Sequence, residues 1–155
     1  QLVSKGVSEG IDFQFEKAMS FNTFKVHRLM QWGKTIQKGN QLKEAFMLAY
    51  FTKGIDLSKE ENILEIVAQV GANKEEAQRV LLSTDFTKEV LDDIEKARSI
   101  GVRGVPYFLI NGTDVISGAQ EDEVFEKVVS TALKNIPQEK HKGDNPVCLP
   151  SGACE

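Results

Sequence analysis

Between residues 22 and 100, apolar residues recur every three or four positions, which is the spacing of amphipathic helices. The pattern predicts five helices joined by short turns, and therefore a compact helical bundle. Good capping residues mark several of the predicted starts. The first four helices are predicted to start at Asn22 or Thr23, at about Gln41, at the capping box of Ser58 and Glu61, and at Asn73. The fifth helix is predicted from its apolar residues, which are Phe86, Val90, Ile94 and Ala97.

Strand patterns flank this helical stretch. Before it, the alternation of apolar and polar residues over 11–16 predicts one short strand. After it, residues 106–110 are rich in strand formers, and Asn111-Gly112 predicts a two-residue hairpin turn into a return strand over 113–117. A last amphipathic helix is predicted from about Gln120 to Asn135 and is ended by Pro137.

The predicted strand at 107–110 is nearly all apolar, which indicates burial on both faces and further strands beside it. A hairpin with one helix is only marginally stable alone. We therefore expect the second part of an α/β domain, whose first strand, helix and second strand lie before Gln1. The alternative is an α+β domain that is complete as given, with the hairpin packed on the bundle.

Composition excludes several classes of protein. The 155 residues are 41% hydrophobic and 27% charged, which is typical of one soluble globular domain. A formal charge of −4 argues against nucleic-acid binding, which needs a basic surface. No apolar run is long enough to span a membrane. The two cysteines are too few for a disulfide scaffold or a four-ligand zinc site.

Four sequence segments carry a resemblance to a known family. GVRGVPYF at 101–108, followed by the hairpin and ISGAQ at 116–120, resembles the C-terminal part of a DsbA-like thioredoxin fold. NTFKVHRL at 22–29 and EAFMLAYF at 44–51 are similar to the helical insertion of the FrnE branch of that family. This branch is related to 2-hydroxychromene-2-carboxylate isomerases and kappa-class glutathione transferases.

The resemblance implies an α/β, thioredoxin-like fold interrupted by a helical domain, without the N-terminal strand–helix–strand. Residues 1–21 would be the end of the N-terminal segment, 22–101 the helical insertion, 102–136 the C-terminal thioredoxin part and 137–155 a flexible tail. The family also favours a cytoplasmic location.

The implied activity is thiol–disulfide exchange with protein or small thiol and disulfide substrates. It needs a thiolate of lowered pKa and a second thiol that resolves the mixed disulfide. The sequence has no Cys-x-x-Cys, so the dithiol is expected upstream of Gln1. No resident cofactor and no metal are expected.

The resemblance implies a substrate-binding loop formed by Gly104, Val105 and Pro106. In the family this proline follows a cis peptide bond and faces the dithiol, and the residue before it pairs with an extended substrate. His27 is expected to line the groove between the helical domain and the active site, as a proton shuttle or an anion contact. The alternative for His27 is a hydrogen bond within the bundle.

The tail holds the two cysteines, Cys148 and Cys154, with five residues between them. They are candidates for an accessory redox pair, and the alternative is a pair of exposed thiols without a partner. His141 together with them makes too weak a ligand set to predict a metal site.

Two other functions compete with thiol–disulfide exchange. One is an isomerase or glutathione-dependent enzyme of the hydroxychromene-carboxylate type, which would bind glutathione along the proline loop. The other is a non-catalytic binding or assembly module that forms homo-oligomers through an exposed sheet edge.

Overall fold

The structure is a computed structural model that describes residues 2–135. Its described residues form seven helices and one two-stranded antiparallel sheet. The elements are α1 (Leu2–Ser8), α2 (Phe24–Thr35), α3 (Gly39–Phe51), α4 (Glu60–Gln69), α5 (Lys74–Leu82), α6 (Thr87–Ser99), β1 (Tyr107–Ile110), β2 (Asp114–Ser117) and α7 (Asp122–Lys134). None of the helices within 2–135 has the length and apolar character needed to cross a bilayer.

The chain divides into two compact units, and the first of them ends at Gly101. Helix α2 is central to this unit, because it packs against α3, α5 and α6. Leu29 of α2, Leu42 of α3 and Val67 of α4 are wholly buried in one continuous apolar core. Each such side chain contributes about 1.5–3 kcal/mol of transfer free energy. The predicted helical bundle over residues 22–100 is therefore confirmed.

The N-termini of the helices show which of the predicted capping residues form cap hydrogen bonds. Helix α2 begins after Thr23, and α5 begins after Asn73, whose side chain accepts a hydrogen bond from the Glu76 N–H at 2.8 Å. The predicted capping box of α4 is wrong. Helix α4 begins after Lys59, and the Ser58 hydroxyl donates to Oδ1 of Asp56 at 2.6 Å instead. Oδ1 of Asp56 accepts hydrogen bonds from both the hydroxyl and the backbone N–H of Ser58, which holds Ser58 in the turn before the helix.

The predicted strand over residues 11–16 is also wrong, since this segment forms no strand. It follows a short helix, α1, which no sequence pattern predicted. The rings of Phe13 and Phe15 stack with centroids 5.0 Å apart, and both meet the ring of Phe51 edge-on. The Gln14 N–H donates to the Phe51 carbonyl oxygen at 2.7 Å. The apolar residues therefore serve an aromatic cluster at the end of α3 rather than one face of a sheet.

The second unit begins at Val102 and contains the β1–β2 hairpin and α7. Ile110 pairs with Asp114, so the connection has three residues, and the return strand does not start at Thr113 as predicted. Asn111 and Gly112 have φ values of 52° and 78°. The Thr113 N–H donates to the Ile110 carbonyl oxygen at 3.2 Å. Thr113 thus closes the turn, and its N–H is not available to the strand ladder.

Helix α7 packs against β2 and covers one face of the hairpin. The rings of Phe108 and Phe125 meet edge-on at 5.0 Å, and Ile116 lies buried on the same face. On the opposite face, Leu109 is 42% and Val115 is 45% exposed. Within 2–135 the sheet has two strands and one covering helix, and the burial of β1 by further strands before Gln1 stays a prediction.

Candidate functional site

Gly104, Val105 and Pro106 form the segment that leads into β1, which we call the proline loop. The peptide bond between Val105 and Pro106 is cis, as the family resemblance implied. The Val105 side chain is 87% exposed, and there is open space where a Cβ on Gly104 would lie. The loop therefore presents an apolar side chain and accessible backbone on the surface of the second unit.

The loop is anchored on one side by the sheet. The Gly118 N–H donates to the Pro106 carbonyl oxygen at 2.8 Å, just beyond the end of β2. Backbone groups of an antiparallel strand point alternately toward the partner strand and away from it. Since Pro106 faces β2, the N–H and C=O of Leu109 face the other edge of β1. Within residues 2–135, no strand pairs with that edge.

His27 lies on the exposed side of α2, in the first unit. It lines a groove of about 540 Å³ that residues of α2, α3 and α6 enclose. In this groove, Gln31 Nε2 donates to Oδ2 of Asp93 at 2.6 Å, and Lys34 Nζ lies 3.8 Å from the same oxygen. Among the described residues, the His27 imidazole has no hydrogen-bond partner. Its expected role beside the active site stays a prediction.

The neighbouring Arg28 is a buried charged residue of the helical unit, and no sequence pattern predicted a role for it. Only 5% of its surface is exposed, and its guanidinium donates to backbone carbonyl oxygens after α5. Because Arg28 precedes Trp32 by one helical turn, both lie on the same face of α2. That spacing from a buried tryptophan is the signal that could have identified Arg28 as a buried residue.

Comparisons with known proteins identify the family. The model of the DSBA-like thioredoxin domain matches residues 1–130, which is most of the chain. The chain belongs to this DsbA-like family. Its fold is the thioredoxin-like DsbA fold, mostly helical with a small two-stranded sheet, and is consistent with an α/β fold that carries a helical insertion. The predicted fold class is confirmed.

One solved structure that resembles this DsbA-like chain is that of a probable DsbA oxidoreductase from Streptomyces coelicolor. The two are 28% identical with a TM-score of 0.81, and the match covers 99% of this chain and 66% of the other. The chain thus spans a little less than two thirds of the length of that relative. A comparison with curated proteins finds no match.

The structure brings together only part of the predicted site of this DsbA-like protein. Gly104, Val105 and Pro106 form one loop. Cys148 and Cys154 lie outside the described residues, as does His141, so their roles stay predictions. Within 2–135 no cluster of three or more His, Cys, Asp or Glu side chains could hold a metal ion.

Proposed function

We propose that this DsbA-like protein is a thiol–disulfide oxidoreductase whose protein substrates bind at the proline loop. Family membership supports the class of chemistry. The observation that carries the location is the exposure of Val105 in the proline loop, where the family resemblance places the residue that pairs with substrate. We further infer the FrnE branch from the segments at 22–29 and 44–51, most of whose residues lie in α2 and α3.

The proposed substrate is an extended polypeptide that carries a disulfide. An extended segment binds an exposed strand edge through main-chain hydrogen bonds, whatever its sequence, and side-chain contacts add selectivity. Val105 would supply the main-chain groups beside the reacting sulfur atoms. Such a site favours unfolded or locally extended substrates over compact ones.

The chemistry itself is exchange of one disulfide for another. A thiolate attacks one substrate sulfur, the substrate S–S bond breaks, and one substrate cysteine leaves as a thiolate. A second thiol then breaks the mixed disulfide and releases the reduced substrate, so that the protein dithiol becomes a disulfide. The thiols in this sequence are Cys148 and Cys154, and we propose them as an accessory redox pair that reacts with substrate or with a small thiol such as glutathione.

The experiment compares two substitutions at Val105. Proline removes the backbone N–H that strand addition would use, whereas alanine keeps it and removes most of the side chain. Binding of a cysteine-containing unfolded peptide, measured by fluorescence anisotropy, should weaken about fivefold in Val105→Pro, since a net hydrogen bond is worth about 1 kcal/mol. Val105→Ala should weaken it less.

The control is Val115→Ala, which shortens an exposed side chain of β2 and leaves every backbone donor in place. Circular dichroism must show that all three variants keep the wild-type helix content. If the peptide binds Val105→Pro and wild type equally well, the proline loop is not the substrate site. If the peptide binds none of the folded proteins, the proposal of a protein substrate fails.

We propose assembly through the open edge of β1 as a second candidate, because no strand within residues 2–135 pairs with the N–H and C=O of Leu109 at that edge and unpaired edges promote strand pairing between chains. Light scattering after size exclusion should then show a dimer that Leu109→Lys dissociates. Val7→Lys, at an exposed position of α1, is the matched control and should not change the mass. A wild-type monomer at all accessible concentrations would reject assembly and leave the oxidoreductase proposal untouched.

A further inference from the structure

We draw no further inference here: the strongest candidate, the apolar groove of the first unit lined by Leu2, Ile11, Phe13, Met47, Leu48 and Phe51, carries nothing because no observation in the structure shows what covers it.

Discussion

The Nε of Arg28 donates a hydrogen bond to the carbonyl oxygen of Asp85 at 2.7 Å and so ties α2 to the loop between α5 and α6. The same guanidinium donates through Nη2 to the carbonyl oxygens of Val80 and Ser83. These carbonyl groups lie at the end of α5, where a helix leaves its last acceptors unsatisfied. Arg28 therefore caps one helix from another and holds the loop that leads to Phe86, which has a φ of 62°.

Replacing Arg28 with methionine should lower the free energy of unfolding by about 3 kcal/mol, because carbonyl oxygens that the guanidinium now satisfies would stay buried without a donor. Urea unfolding followed by circular dichroism measures this loss. Arg98→Met, at an exposed position of α6, is the control and should change the stability by less than about 0.5 kcal/mol. Equal losses in the two variants would contradict a capping role for Arg28.

Asn73→Ala should destabilise the protein by about 1 kcal/mol, since Asn73 caps α5 through its side chain. Ser58→Ala should cost less, because Ser58 does not cap α4. Thermal unfolding of the two variants side by side makes the comparison. A larger loss of stability in Ser58→Ala than in Asn73→Ala would support the predicted capping box at Ser58 and contradict the observed start of α4.

The carboxyl group of Asp56 should titrate below its ordinary pKa of 3.8. The Ser58 hydroxyl is the largest cause, followed by the Ser58 backbone N–H, and both donate to the ionised form, which lowers the pKa. A lowered folded pKa means that the stabilisation is present above 3.8 and is lost as the pH falls through the folded value. NMR titration of the Asp56 carboxyl carbon measures the midpoint.

Ser58→Ala is the matched variant for this titration, because it removes the hydroxyl and keeps the backbone N–H. The Asp56 midpoint should move up, back toward 3.8. A midpoint that is the same in Ser58→Ala and wild type would show that the hydroxyl does not set the pKa of Asp56.

In the second unit, Ile116→Ala should cost about 3 kcal/mol, because Ile116 is 2% exposed beneath α7 and its truncation leaves a cavity. Val115→Ala, one residue earlier on the open face of the sheet, should cost less than about 1 kcal/mol. Amide hydrogen exchange of the β1 and β2 backbone reports the stability of this unit directly. Similar exchange rates in both variants would mean that α7 does not protect the hairpin.

The proposed role of the tail thiols predicts that they form mixed disulfides with substrate. Wild type incubated with an oxidised peptide should lose two hydrogen atoms as its own disulfide forms and the peptide is released reduced, whereas Cys148→Ser or Cys154→Ser should keep one attached peptide chain because the resolving thiol is absent. Intact-mass spectrometry before and after reduction measures it. If neither single variant ever forms the adduct, the tail cysteines are not a redox pair for peptide disulfides.

Helices α2 to α6 of the first unit and the hairpin could be predicted from the sequence because their determinants are local. The three-to-four-residue spacing in 22–100, the cap at Asn73 and the turn at Asn111-Gly112 each act over a few neighbouring residues. A pattern among residues that are close in sequence can be recognised in the sequence itself, so it predicts a helix or a turn without information about the other elements that pack against it.

The predictions that failed concern residues with two competing partners. Phe13 and Phe15 alternate with polar residues as in a strand, yet Phe51 draws their rings into a cluster. Ser58 lies at a predicted capping position, yet its hydroxyl donates a hydrogen bond to the Asp56 carboxylate. In each case the local pattern is compatible with both the predicted structure and the observed one. The free-energy difference between the two depends on a contact with a residue outside the pattern.

Tertiary structure alone decided which side chains lie at the surface of the candidate site. Val105 is apolar but lies exposed in its loop. Arg28 is charged but lies buried, because its guanidinium donates hydrogen bonds to three backbone carbonyl oxygens. The Asp85 acceptor of Arg28 lies 57 residues away along the chain. Burial of such groups is set by contacts between distant segments, and these come into existence only when the whole chain folds.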